Sequence, residues 1–181
     1  MRMDNSNLLD AKTVVNSYTK EKLDKIFKEY GEIKYYETIT KQIMEYRKNK
    51  RIESAKELSS IFEVSKPSRI HPATLIFQAI RIEVNNELEE LKMFLDHLDN
   101  LKKTRIAIIS FHSLEDKIIK NKFRFLAQDC ICDKNIMKCQ CGGNQSKGRV
   151  ITKRPIVPSE YEIKVNYRAR SAKMRCFKFN D

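Results

Sequence analysis

Four cysteines lie within twelve residues, as Cys130-x-Cys132, six intervening residues and Cys139-x-Cys141. Four thiolates so placed could hold Zn²⁺ tetrahedrally, although the one-residue spacing is tighter than the usual two to four. Lys134, Lys138 and the pair Gly142-Gly143 share the loop and suit a knuckle-like turn. The alternative is a set of free thiols in a flexible excursion, and neither reading makes these cysteines catalytic. A second group, His112 and Ser113, follows the apolar run Arg105-Ile106-Ala107-Ile108-Ile109-Ser110. In open α/β sheets ligands sit beyond the carboxyl ends of strands, and exposed helix N–H groups there can meet an anion. The plainer reading makes Ser113 a helix N-cap and His112 a hydrogen-bonded turn residue.

Thr74, Gln78, Arg81 and Asn85 are spaced four, three and four apart, so a helix presents them on one side. Amide and guanidinium groups there suit a base edge or a phosphate; a merely solvated face is the competing reading. His71 reads as a helix-entry residue. Finally, Lys147, Arg149, Lys153, Arg154, Lys164, Arg168, Arg170, Lys173 and Arg175 make a basic tail in which Glu160 and Glu162 are the only acids. Phosphate contact is its functional reading and ordinary solvation the alternative.

The elements that must position these groups follow from periodicity. Leu23, Ile26, Phe27 and Tyr30 keep the i, i+3, i+4, i+7 spacing, with Gly31 a C′ stop. Tyr36, Ile39, Ile43 and Tyr46 continue it in a second helix. Ser54 with Glu57 matches a capping box ahead of Leu58, Ile61 and Phe62. The polar stretch Ser65-Lys66-Pro67-Ser68 closes this helical region. Pro72 then suits the first position of a long helix, with Ile76, Ile80, Val84, Leu88, Leu91, Leu95 and Leu98 on one stripe to about Asn100. Residues 105–110 read as a buried central strand of a parallel sheet. Ser113 and Asp116 match a capping box, and Leu114, Ile118, Ile119, Phe123 and Leu126 face inward on the helix that follows. After an irregular stretch over residues 128–148, Val150-Ile151-Thr152 predicts a short strand. Ser159 caps a short helix, and residues 172–179 alternate like a closing strand. The class is α/β, but about three strands with one covered face are too few to stand alone comfortably.

Composition narrows the partners. The chain has 181 residues, 41% of them hydrophobic, and 36 Lys and Arg against 24 Asp and Glu give a formal net charge of +12. Such an excess favours a polyanion, because each cation set on a phosphate releases condensed counterions. Residues 1–20 lack the apolar core of a secretory signal, and no apolar run approaches the roughly 18 residues of a membrane span. An odd count of five cysteines without export is not a disulfide framework, which predicts a cytoplasmic protein with reduced thiols. None of the four glycines sits between an apolar strand and a helix start, so a glycine-rich phosphate loop is not expected.

Four stretches are distinctive: MRMD over residues 1–4; HPATLIFQAIRIEVNNELEEL from His71; ISFHSLEDKIIKNKF from Ile109; and KRPIVPSEYEI with NYRARSAKMR within residues 153–175. In this order they resemble the RsmH family, also called MraW. The resemblance implies methyl transfer from S-adenosylmethionine to the N4 amine of a cytidine in 16S rRNA of the small ribosomal subunit. It implies the second half of a Rossmann-like methyltransferase sheet plus an all-helical insert. Residues 1–4 would end the N-terminal catalytic segment, residues 5–70 would form the insert that recognises substrate, and residues 71–181 would be the C-terminal part of the methyltransferase domain. The family's donor-binding segment would lie upstream of Met1. It would be on the order of a hundred residues, since each βα unit takes about 30. No donor-binding residue is therefore expected in this chain, and the missing half becomes an expected partner beside the rRNA.

The resemblance places His112, Ser113, Thr74, Gln78, Arg81 and Asn85 near the substrate, and Arg154, Arg168, Arg170 and Lys173 on the RNA backbone. It names no catalytic residue. A cytosine amine is a poor nucleophile, so orienting it, in a base presented unstacked, supplies much of the rate. Departures from the family pattern occur at Leu75 and Ile76, around Lys102-Lys103-Thr104, and at Tyr167 before the Arg168-Ala169-Arg170 run. Competing readings are a non-catalytic RNA- or ribosome-binding remnant and a zinc-stabilised nucleic-acid module.

Overall fold

A computed structural model describes residues 1–4, 6, 8–62, 72–133 and 138–181; His71, Lys134 and the Ser65–Ser68 stretch lie outside them. The chain forms two compact units, Met1–Glu87 and Leu88–Asp181.

The first unit is helical: α1 (Ala11–Ser17), α2 (Lys20–Glu29), α3 (Tyr36–Asn49), α4 (Ala55–Ser60) and α5 (Pro72–Asn85). Short polar caps start the helices by satisfying orphan N–H groups. Asp10 accepts from Thr13 N–H at 2.7 Å, and Ser54 Oγ from Glu57 N–H at 3.1 Å. Glu57 answers one residue early, accepting the N–H of Glu53 rather than that of Ser54. The Lys50 ammonium first, then this N–H and the Tyr46 hydroxyl, hold the Glu57 carboxyl down to about 2. Arg47 closes the other end of α1, donating to the carbonyls of Val15 and Tyr18 at 3.0 and 2.7 Å.

The predicted apolar positions meet in one core, with Leu23, Phe27, Ile43, Ile76 and Ile80 fully buried, and Val14 of α1 joins them. Each such side chain contributes roughly 1.5–3 kcal/mol, so this core, not helix propensity, holds helices of only 6–14 residues. Gly31 follows α2 as expected, but the left-handed residue is Glu32, with φ of 50°. Gly31 is needed for space: a Cβ there would stand 2.7 Å from the Phe27 carbonyl oxygen.

The long helix expected from Pro72 to about Asn100 is broken. α5 ends at Asn85, Asn86 adopts a φ of 52°, and the chain continues as α6 (Glu87–Asp96) and a 3₁₀ turn, His97–Asn100. Asn is one of the few side chains that tolerate this left-handed conformation. The apolar stripe is real but serves two cores: Ile76, Ile80 and Val84 join the first, whereas Leu91, Leu95 and Leu98 join the second. By packing, α5 thus belongs with the helices before it, although the motif order assigns it to the later part.

In the second unit β1 (Arg105–Ser110), α7 (Ser113–Leu126), β2 (Gly148–Val150), α8 (Glu160–Val165) and β3 (Lys173–Phe179) follow α6. The class is the expected mixture of helices and a small sheet. Its order is β1-β3-β2, with both pairings antiparallel. β1 therefore differs from the expected central parallel strand: among the described residues it is an edge strand, and Ile109 is 57% exposed. A continuous apolar run states that both faces can be buried, not which partner lies alongside. Ile119, Phe123 and Leu126 of α7 pack on Phe177 and Phe179 of β3. The Phe123–Phe177 and Phe177–Phe179 ring centroids stand 5.3 and 4.9 Å apart, the range of favourable tilted and edge-on pairs. No helix is long and apolar enough to cross a membrane among the described residues.

Candidate functional site

The carboxyl end of β1 and the amino end of β3 lie side by side, because Ser110 pairs with Lys173 and Ile109 with Met174. Met174 also bridges to Ile156, which brings the segment after Arg154 to the same end of the sheet. Two stretches distant in sequence, SFHSLED from Ser110 and RARSAK from Arg168, are thus brought side by side at Ser110 and Lys173.

Local chemistry fixes the turn between β1 and α7. Ser110 is buried and its hydroxyl donates to the Lys173 carbonyl at 3.3 Å. His112, not Ser113, is the N-cap. Its Nδ1 accepts from Glu115 N–H at 3.4 Å, while Glu115 Oε2 accepts from the N–H groups of Phe111 and His112 at 2.8 and 3.3 Å. An accepting Nδ1 leaves the proton of the neutral ring on Nε2, 3.4 Å from Glu115 Oε1. The expected box of Ser113 with Asp116 is therefore displaced by one residue. Serine is the commoner cap, but the earlier start frees Asp116 for another task. The Glu115 carboxylate also gathers the two N–H groups that lead into α7, and Ser113 is the first residue of the helix.

Asp116 accepts both Arg175 Nε and Nη2, at 2.6 and 2.9 Å, with the two side chains only 14% and 8% exposed. The Arg175 guanidinium holds the Asp116 carboxyl below its usual range, against the opposing effect of burial. Arg175 is thereby removed from the set of cations that could meet phosphate.

Arg154, Arg168 and Arg170 remain exposed, and Lys173 is half-buried. Arg168 and Arg170 sit on a 3₁₀ turn, Tyr167–Ser171, that leads directly into β3. Asn166 starts this turn by accepting from Arg168 N–H at 3.2 Å. The Arg170 guanidinium lies over the Tyr167 ring, 4.3 Å from its centroid, and also donates to the Tyr167 carbonyl. Phe111 and Tyr167 are 54% and 67% exposed. Sequence reasoning missed these two rings, although one follows the strand and the other immediately precedes the Arg168-Ala169-Arg170 run.

The polar face of α5 is different. Gln78 donates to the Tyr30 carbonyl at 3.1 Å. Arg81 makes a two-point pair with Glu87 at 2.8 and 2.9 Å. Asn85 donates to the carbonyls of Met1 and Arg81 and accepts from Met3 N–H at 2.8 Å, so it fixes the MRMD stretch. Thr74 alone of the four is exposed. The four clustered cysteines converge elsewhere in the second unit, all with free thiols. The N–H groups of Gly143 and Ile131 draw Cys141 down to about 6. The Cys132 N–H draws Cys130 down, but the thiols of Cys139, Cys141 and Cys132 prevail and push it up to about 12.

A family profile described as the MraW methylase family matches residues 1–180. The chain belongs to the MraW methylase family. Among curated members, it is 54% identical to "Ribosomal RNA small subunit methyltransferase H" of Helicobacter pylori strain Shi470 over 180 residues. That match covers 99% of this chain and 58% of the relative. The protein of the same name from Aliarcobacter butzleri strain RM4018 is 48% identical over 184 residues, covering 99% of this chain and 60% of the relative. The chain thus spans somewhat over half the length of these MraW relatives.

Proposed function

We propose that this chain is the RNA-facing part of an enzyme that methylates the N4 amine of a cytidine in 16S rRNA of the small ribosomal subunit, with S-adenosylmethionine as donor. The supporting observation is the shared sheet end. There two of the most distinctive motifs are tied by the Ser110–Lys173 register and the Asp116–Arg175 pair, with Arg168 and Arg170 left exposed beside Tyr167. Cations beside exposed rings suit single-stranded RNA, whose splayed bases stack on aromatics while Arg and Lys meet the backbone.

In this reading Arg154, Arg168, Arg170 and Lys173 contact phosphates, Tyr167 and Phe111 offer stacking faces, and His112 and Ser113 border the base. His112 shapes the turn as the N-cap of α7. Thr74 stays a candidate for direct contact. Gln78, Arg81 and Asn85 act indirectly, by holding α5, residues 1–3 and the helical insert of residues 5–70 in shape. Donor contacts belong to the part of the relatives' length that this chain does not span. β1 offers an unpaired edge and a half-exposed Ile109 on which further strands could add. The enzyme would work in the cytoplasm.

The test is complementation. The remaining part of the Helicobacter pylori relative is co-expressed with this chain in cells lacking the native enzyme, and N4 methylation of small-subunit rRNA is measured. Restored methylation, lost again with Arg168→Ala/Arg170→Ala, is expected. RNA binding without any methylation would instead favour a non-catalytic remnant.

A further inference from the structure

We propose that Cys130, Cys132, Cys139 and Cys141 form a structural zinc site that closes the excursion between α7 and β2. The geometry carries this independently of the catalytic reading. The four sulfurs lie within 4.8 Å of one another. Cys130–Cys139, Cys139–Cys141 and Cys130–Cys141 separations are 3.5, 3.4 and 3.7 Å. A tetrahedral ion with Zn–S bonds of about 2.3 Å sets sulfur–sulfur edges of about 3.8 Å, so small outward shifts complete the tetrahedron. The same distances are far too long for disulfides, whose S–S bond is about 2.05 Å.

The backbone is shaped for thiolates. Cys132 Sγ accepts the N–H groups of Gln140 and Cys141, both at 3.2 Å. Gly142 and Gly143, with φ of 77° and 71°, turn the chain back immediately after the last ligand. Successive N–H groups in such left-handed turns converge on negative charge. Four thiolates this close repel one another unless a cation sits among them. Binding one Zn²⁺ to four thiols releases up to four protons and leaves a doubly negative centre.

Among the described residues of this segment, Cys130, Ile131, Cys139 and Gln140 are exposed. Its ends are fixed by Lys147 N–H donating to Leu126 O at 2.8 Å and Gln145 N–H to Asp129 O at 3.0 Å. Between those ties the ion would serve in place of a core, as in small metal-held modules. Four protein ligands leave no open position for water, so the site is structural and not hydrolytic.

The 181-residue chain, purified under reducing conditions from zinc-supplied cells, should carry about one zinc per molecule. Thiol alkylation should release it, and Co²⁺ should replace it with the visible absorption of tetrahedral thiolate cobalt. Cys139→Ser/Cys141→Ser should abolish Co²⁺ uptake with an unchanged far-ultraviolet circular dichroism spectrum, while Cys176→Ser, outside the cluster, should bind as wild type. A wild-type chain that holds no zinc and gives no tetrahedral cobalt spectrum would overturn the proposal. So would uptake that survives the double substitution.

Discussion

The polar face of α5 and the cationic end of the sheet carry similar side chains but hold them differently. Arg81 grips Glu87, Asn85 holds Met1 and Met3, and Gln78 reaches the Tyr30 carbonyl. Arg154 and Arg168 are exposed, and Arg170 lies over the neighbouring Tyr167. Groups bound within the fold contribute to stability and lose freedom to recognise a ligand. Exposed cations contribute little to stability and keep their charge for a polyanion. Arg175 crosses the division: it lies in the basic tail but behaves like the α5 face.

That crossing gives the largest expected effect. Asp116→Ala leaves the buried Arg175 guanidinium uncompensated and should cost about 3–5 kcal/mol in urea unfolding. Asp116→Leu/Arg175→Met should recover most of that loss, because two apolar groups leave no charge behind. A double variant no better than Asp116→Ala would place Arg175 among the functional cations after all.

The same pair sets an acid limb. The Asp116 carboxyl lies below its usual range because the Arg175 guanidinium favours the charged form. The unfolded chain therefore binds this proton at higher pH than the folded one. The pair's contribution is complete above the ordinary carboxylate range and is lost as pH falls through the lowered value. Asp116→Asn should flatten that limb of the stability profile; an unaltered acid limb would contradict the assignment.

A smaller effect is expected on α5. Asn85→Ala removes hydrogen bonds to a partly exposed segment, so unfolding should show a loss of about 1 kcal/mol. Hydrogen exchange at Met3 should quicken, and RNA affinity of this chain should not change. At the small end, Arg168→Ala/Arg170→Ala should alter stability by less than about 0.5 kcal/mol. A larger loss would mean that these arginines serve the fold, like Arg81.

Much of this arrangement was legible in the sequence. Leu23, Phe27, Ile43, Ile76 and Ile80 reach the core that their spacing predicts. The three strands occur in the predicted order, with the short one displaced two residues earlier, to Gly148–Val150. Partnerships were less legible. A 3.6-residue period cannot report that a stripe is divided at Asn86, because either half alone keeps the same spacing. An apolar run cannot distinguish a central parallel strand from an edge strand. The one-residue shift from Ser113 to His112 as cap goes with a long-range contact, the pairing of Asp116 with Arg175, that local propensity does not contain. For the same reason spacing placed Arg81 and Asn85 on one face without revealing that both were already engaged.

The central claim is that the exposed cations of the sheet end, not the engaged Arg81 of α5, meet RNA. Its most direct test is the salt dependence of this chain's affinity for a short single-stranded rRNA segment, measured by fluorescence anisotropy. Arg168→Ala/Arg170→Ala should weaken binding and lower the slope of log affinity against log salt by about 1.4, roughly 0.7 for each lost phosphate contact. Arg81→Met should leave that slope as in the wild type. An unchanged slope in the double variant, or an equal loss in Arg81→Met, would contradict the account.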